Sequence, residues 1–120
     1  MIEIKGKVIN HRYPGLIIHE TNILKHGSDI VLPSRIFVDS DYRLFYGEAI
    51  LQHGYGHYLQ YKKHGFLFYY FVIGPSSIWF AMNKNHYGWT EIEANQLAHK
   101  FFGKNSLMGN KHFPLNNRKL

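Results

Sequence analysis

The two histidines of the run Gln52-His53-Gly54-Tyr55-Gly56-His57-Tyr58-Leu59-Gln60 stand four residues apart, and this spacing constrains the chain more than any other feature. A helix turns about 100° per residue, so positions i and i+4 lie one above the other on a single face. Two imidazoles placed that way can converge on one metal ion at about 2.0–2.1 Å. The run is therefore expected to be helical, and the pair is half of a metal site. There is no cysteine in the 120 residues, which excludes disulfides and thiolate sites and leaves histidine or carboxylate to complete the ligand set.

The rest of the chain reads as one α+β domain, with a small N-terminal β-sheet packed on a helical core. Between Lys5 and Ile18 two β-favouring runs flank Pro14-Gly15, the pattern of a hairpin. Ile30-Val31-Leu32 and Arg35-Ile36-Phe37-Val38 read as further short strands on either side of Pro33-Ser34. Asp39-Ser40-Asp41 offers N-cap residues, after which Leu44, Phe45, Ala49, Ile50 and Leu51 recur with helical period as far as Gly65. Inside that helix Gly54 and Gly56 each cost about 1 kcal/mol relative to alanine. Close approach of another backbone would explain Gly56; no such reason presents itself for Gly54. Phe66–Ile73 and Ser76–Met82 read as two short buried helices, because Gly74-Pro75-Ser76-Ser77 interrupts an apolar stretch that is otherwise close to spanning length. Thr90-Glu91-Ile92-Glu93 matches a capping box, with Thr90 capping and Glu93 reaching back to its backbone N–H. Phe101-Phe102 ends that helix and Gly103 stops it, leaving a polar, loosely packed tail from about residue 104.

The capping box bears on the third ligand. With Glu93 engaged at its own helix N-terminus, Glu91 is the free carboxylate, and Asn95 lies one turn on from it. The Asn95 amide oxygen suits the second ring N–H of His53 or His57, since ligating histidines usually pass that proton to an oxygen acceptor. Glu91 also suits the dipole of its helix N-terminus without any metal. His86 and Tyr87, in the loop before this helix, are weak candidates for stabilising a developing oxyanion. His11, His19, His26, His64, His99 and His112 show no paired spacing and are expected at the surface or half-buried.

HxxxH on one helix, followed some thirty residues later by Glu91-Ile92-Glu93-Ala94-Asn95, resembles the gluzincin metallopeptidases, whose motifs read HExxH and ExxxN or ExxxD. Gly56-His57-Tyr58-Leu59-Gln60, Ile73-Gly74-Pro75-Ser76 and Thr90-Glu91 also look like a set of small bacterial HExxH proteins, some of which form the C-terminal domain of polymorphic toxins. The likeness runs from about Ala49 to Phe102. It implies a zincin-like core, zinc held by His53, His57 and Glu91 with Asn95 in support, and a peptide or protein as substrate or partner. The chain departs from the pattern at the general base, where Gly54 stands in place of glutamate. Glu48, the nearest other carboxylate on the helix, lies about 140° around it from His53 and points away. A positioned base contributes about 100- to 10,000-fold, so its loss implies a weakly active or inactive peptidase-like domain. Two other readings stay open: an active hydrolase, such as a toxin, with its base elsewhere, and a peptide- or partner-binding module. Two histidines and a carboxylate also form the facial triad of non-haem iron enzymes, which normally sits on a β-barrel that this sequence does not suggest.

The net charge of +6 is spread over separated lysines, without the dense track that phosphate recognition favours, so nucleic acid is not the expected partner. A membrane span is not expected either. Met1-Ile2-Glu3-Ile4-Lys5-Gly6 lacks the apolar core of a signal peptide, which makes the cytoplasm the default location unless a specialised route exports the chain.

Overall fold

The computed structural model of the chain describes residues 8–9, 13–22, 29–32, 35–40, 47–85 and 87–116. Its first half is a four-stranded mixed sheet of order β1-β2-β4-β3, formed by β1 (Val8–Ile9), β2 (Ile17–Thr21), β3 (Asp29–Leu32) and β4 (Arg35–Asp39). β1 and β2 pair antiparallel with Val8 opposite Ile18, which is the expected hairpin. At its bend the Leu16 N–H donates to the Tyr13 carbonyl at 3.1 Å, and Gly15 has φ 85°. Proline followed by a positive-φ glycine suits a type II turn. β2 runs parallel to β4, with Ile18 beside Ile36, while β3 is antiparallel to β4.

Helices make up the second half: α1 (Glu48–His64), α2 (Phe66–Phe68), a π-helical turn (Tyr69–Ile73), α3 (Gly74–Met82) and α4 (Trp89–Phe102). The architecture is α+β. Ile18, Ile36 and Val38 from the sheet share one core with Ala49, Ile50, Leu51, Tyr55 and Tyr58 of α1 and Ala98 of α4. Every residue of α1 from Ala49 to Tyr58 is buried, so this helix is the central strut of the domain, as helices surrounded on all sides are. Two tyrosines tie it to the hairpin. Tyr55 donates to the Pro14 carbonyl at 2.7 Å, and the Tyr58 hydroxyl lies directly beneath Gly15, where a Cβ would strike it.

Four expectations are revised. Asp39, expected in a helix cap, instead completes β4 opposite Thr21 and is buried, because the pairing with β2 extends through it. The described part of α1 begins at Glu48 after Gly47, with no side-chain cap; Asp41, Leu44 and Phe45 lie outside the described residues. His19, expected near the surface, is buried, with Arg35 donating to its Nε2 at 2.9 Å and Phe37 stacked on its ring. Gly74-Pro75 does not break the apolar stretch. The π-helical turn immediately before Pro75 keeps the helix continuous, with the Gly74 N–H reaching back five residues to the Tyr69 carbonyl; such turns absorb an irregularity within a helix. Nor is the stretch buried: of α2 and the π turn only Tyr69 and Ile73 are covered, and Leu67, Phe71, Ile78, Trp79 and Met82 face outward.

The segment after α4 is the fourth revision. It packs closely rather than loosely. Met108 and Phe113 enter the core, Gln52 donates to the Asn105 carbonyl at 3.0 Å and accepts from the Leu107 N–H at 2.7 Å, and Gln96 donates to the Leu115 carbonyl. Glutamine and asparagine side chains on the helices supply the partners that its irregular backbone needs.

Candidate metal centre

The site is built where α1 crosses α4, the most extensive contact between elements of the fold. Gly56 of α1 lies against the backbone carbonyl of Ala94, so close that any Cβ at position 56 would collide with it. Counting from this crossing point gives the site directly. Three residues before and one after Gly56 are His53 and His57; three before and one after Ala94 are Glu91 and Asn95. Positions i−3 and i+1 share a helix face, so the contact of two small residues turns all four side chains toward each other.

His53 and His57 are buried, and Glu91 is nearly so. The His53 Nε2 lies 3.3 Å from Glu91 Oε1, the His57 Nε2 lies 3.3 Å from Glu91 Oε2, and the two Nε2 atoms are 3.2 Å apart. The two carboxylate oxygens thus face one imidazole each, and one ligand atom from each of the three residues can be chosen so that all lie within 4.8 Å of one another. The three side chains form a group that can hold a metal ion.

The other ring nitrogens are already committed. His53 Nδ1–H donates to Asn95 Oδ1 at 2.6 Å and His57 Nδ1–H donates to Gln60 Oε1 at 2.7 Å. Both amides are fixed the right way round by their NH2 groups: Asn95 Nδ2 donates to the Pro114 carbonyl at 2.9 Å, and Gln60 Nε2 to the Thr90 carbonyl at 2.7 Å. With Nδ1 carrying a hydrogen in each ring, both Nε2 atoms face each other and a carboxylate. Acceptors so close together need positive charge among them, supplied by added protons or by a cation. Burial acts to push the Glu91 carboxyl up, but the facing imidazoles, His57 foremost, hold it well below the ordinary 4.5. Phe113 packs on the His53 ring with centroids 5.2 Å apart, so the C-terminal segment closes the site from outside.

The capping box forms differently from the expectation. α4 starts at Trp89 after Gly88, whose carbonyl accepts from the N–H groups of Glu91 and Ile92, and no side chain caps it. Thr90 is inside the helix. Glu93 turns away from its own backbone to α1, accepting from His64 at 2.7 Å and from Lys63 and Gln60 at 3.1 Å each. Three donors on a neighbouring helix outweigh one N–H at the cap. Glu93 is thus engaged, as the choice of Glu91 required, but in a different bond.

Gly54 is buried in α1, one residue after His53. Glu48 accepts from the Tyr13 hydroxyl, on the side of α1 that meets the hairpin. Tyr87 lies in the turn before α4 with its N–H donating to the Asn85 side chain, and His86 lies outside the described residues. Gln60 is the participant the sequence reading missed. The signal was its position three residues after His57, on the same face, where it reaches the ring nitrogen. In comparisons with known proteins, no family model, curated sequence or solved structure matches the chain.

Proposed function

We propose that the chain is a zinc-binding domain of metallopeptidase type, with its hydrolytic activity reduced by the absence of a general base at position 54. The single observation that carries this reading is the convergence of both Nε2 atoms on the Glu91 carboxylate, one on each oxygen at 3.3 Å, with both histidines oriented by buried amides. Two imidazoles and one carboxylate are a donor set that would suit zinc, with His53, His57 and Glu91 as the residues that would hold it. Zinc held there would polarise a carbonyl and lower the pKa of water beside it.

The chain's own contribution is mostly positional. Asn95 and Gln60 keep the Nδ1 protons, so that each Nε2 stays available as a ligand. Glu91 brings the negative charge that offsets part of a divalent ion's charge in a buried site. Gly54 brings no group able to take a proton, and the lack of a positioned base costs about 100- to 10,000-fold. The expected partner is an unstructured peptide or protein segment, held weakly and cleaved slowly. Cleavage of an unfolded protein substrate by the wild type and by Gly54→Glu, each with and without chelator, tests the reading. A chelator-sensitive gain in the variant supports it; strong wild-type cleavage shows that the base comes from elsewhere.

A further inference from the structure

We infer that the continuous helix formed by α2, the π-helical turn and α3 is an interfacial element that lies flat on an anionic lipid surface. From Phe66 to Met82 the chain carries no charged residue. Tyr69 and Ile73 anchor this helix to the body of the protein, being 4 % and 0 % exposed. On the opposite side Leu67, Phe71, Ile78 and Met82, spaced by four, seven and four residues, form one outward stripe, each at least 57 % exposed. Trp79 stands beside it at 60 %. The stripe is about 22 Å long at 1.5 Å per residue. Among the described residues no helix is long and apolar enough to cross a membrane, so a bilayer would be met in its plane.

The charges around the stripe point to the kind of surface. The first 48 residues carry six basic and six acidic side chains and cancel. Residues 49–120 carry eight basic side chains against two acidic, so the whole net charge of +6 belongs to the helical half. Both acids there are engaged inward, Glu91 with His53 and His57 and Glu93 with His64 and Lys63. Lys62 and Lys84, both exposed, lie just before and just after the apolar run. An exposed apolar and aromatic stripe between lysines suits the boundary of headgroups and acyl chains, with the body of the domain standing where an isolated interfacial helix has its charged face. A second copy docking through the same stripe would bring two sets of lysines together, with Glu91 and Glu93, the only side-chain carboxylates among the described residues of 49–120, turned inward. Anionic headgroups supply the counter-charge and the acyl boundary supplies the apolar medium.

Co-sedimentation with vesicles tests this, using phosphatidylcholine alone and phosphatidylcholine mixed equally with phosphatidylglycerol. The wild type is expected to pellet with the anionic vesicles, to release as salt is raised, and to stay in solution with phosphatidylcholine alone. In a Trp89→Phe background, which leaves Trp79 as the sole tryptophan, its emission should shift to the blue on binding. Lys62→Gln with Lys84→Gln should weaken binding by roughly 30-fold, about fivefold for each charge. Phe71→Gln with Met82→Gln, both at exposed positions, should abolish pelleting while circular dichroism stays unchanged. A wild type that ignores anionic vesicles overturns the inference. So does a dimer in solution that the Phe71→Gln and Met82→Gln changes dissociate without any vesicle binding, since a second copy then covers the stripe.

Discussion

Gly56 and Ala94 meet backbone to backbone, with no room for a Cβ on the glycine, and the residues that could hold a metal ion, His53, His57 and Glu91, lie within three positions of that contact. The glycine is therefore a spacing element for the site. Gly56→Ala gains about 1 kcal/mol in helix propensity but forces α1 off α4, and overpacking of this kind costs typically 1–3 kcal/mol. The expected result is a net loss of stability, together with a fall in zinc affinity of roughly tenfold or more as the ligands separate. Chemical unfolding and a zinc titration of the same variant check both parts. Unchanged zinc affinity would show that the helix contact does not set the ligand spacing.

Asn95 and Gln60 make equivalent bonds to the two imidazoles, so removing either should weaken zinc binding by about 10- to 100-fold, the usual effect of losing such support. Gln60→Ala should also be the more destabilising of the two. It frees His57 and removes one donor from the Thr90 carbonyl and one from Glu93, both of them buried or half-buried acceptors. Competition titrations with a chelator of known affinity rank the variants, and an Asn95→Ala protein that binds zinc like the wild type would remove the residue from the site.

Glu93 gives a pH signature separate from the metal. Burial acts to raise its carboxyl, but hydrogen bonds from His64, Lys63 and Gln60 hold it below the ordinary 4.5. A depressed folded-state value stabilises the fold above the unfolded-state value, and the contribution is lost as pH falls through the folded-state value. The stability difference between wild type and Glu93→Gln should be full at neutral pH, shrink below about pH 4.3, and vanish in stronger acid. Urea unfolding at a series of pH values measures it; a difference that grows on acidification would reverse the assigned sign.

The sequence was informative wherever a single spacing decided the geometry. His53 and His57 could be paired because i and i+4 share a helix face, and Glu91 with Asn95 for the same reason, while Pro14-Gly15 marked the turn between β1 and β2. It was less informative where a group chooses among partners far apart in the chain. Thr90-x-x-Glu93 fits a cap in sequence, yet Glu93 finds three donors on α1, about thirty residues away. Apolar residues from Phe66 to Met82 suggest burial, but nothing in their pattern says how much surface the rest of so small a chain can offer them. The polar tail looked loose because its hydrogen-bond partners, Gln52, Asn95 and Gln96, are visible only once α1 and α4 are side by side.

Gly54→Glu places a carboxylate next to His53, and its gain of roughly 0.5–1 kcal/mol in helix propensity works against the cost of seating a larger, charged side chain at a buried position. The variant should remain folded and zinc-loaded, and should cleave an unfolded protein about 100- to 10,000-fold faster than the wild type. Gly54→Gln, similar in shape but unable to take the proton, should stay at the wild-type rate. Equal rates for Gly54→Glu and Gly54→Gln over a broad peptide panel would assign the domain to binding rather than hydrolysis.

Elemental analysis after dialysis against zinc tests the central claim most directly. The account predicts about one equivalent of zinc for the wild type, and a large loss in His57→Ala and in Glu91→Gln, since the two remaining ligands make a poor site. Equal zinc in all three proteins, or none in a folded wild type, would contradict it and make the His53, His57 and Glu91 cluster a proton-bridged structural group.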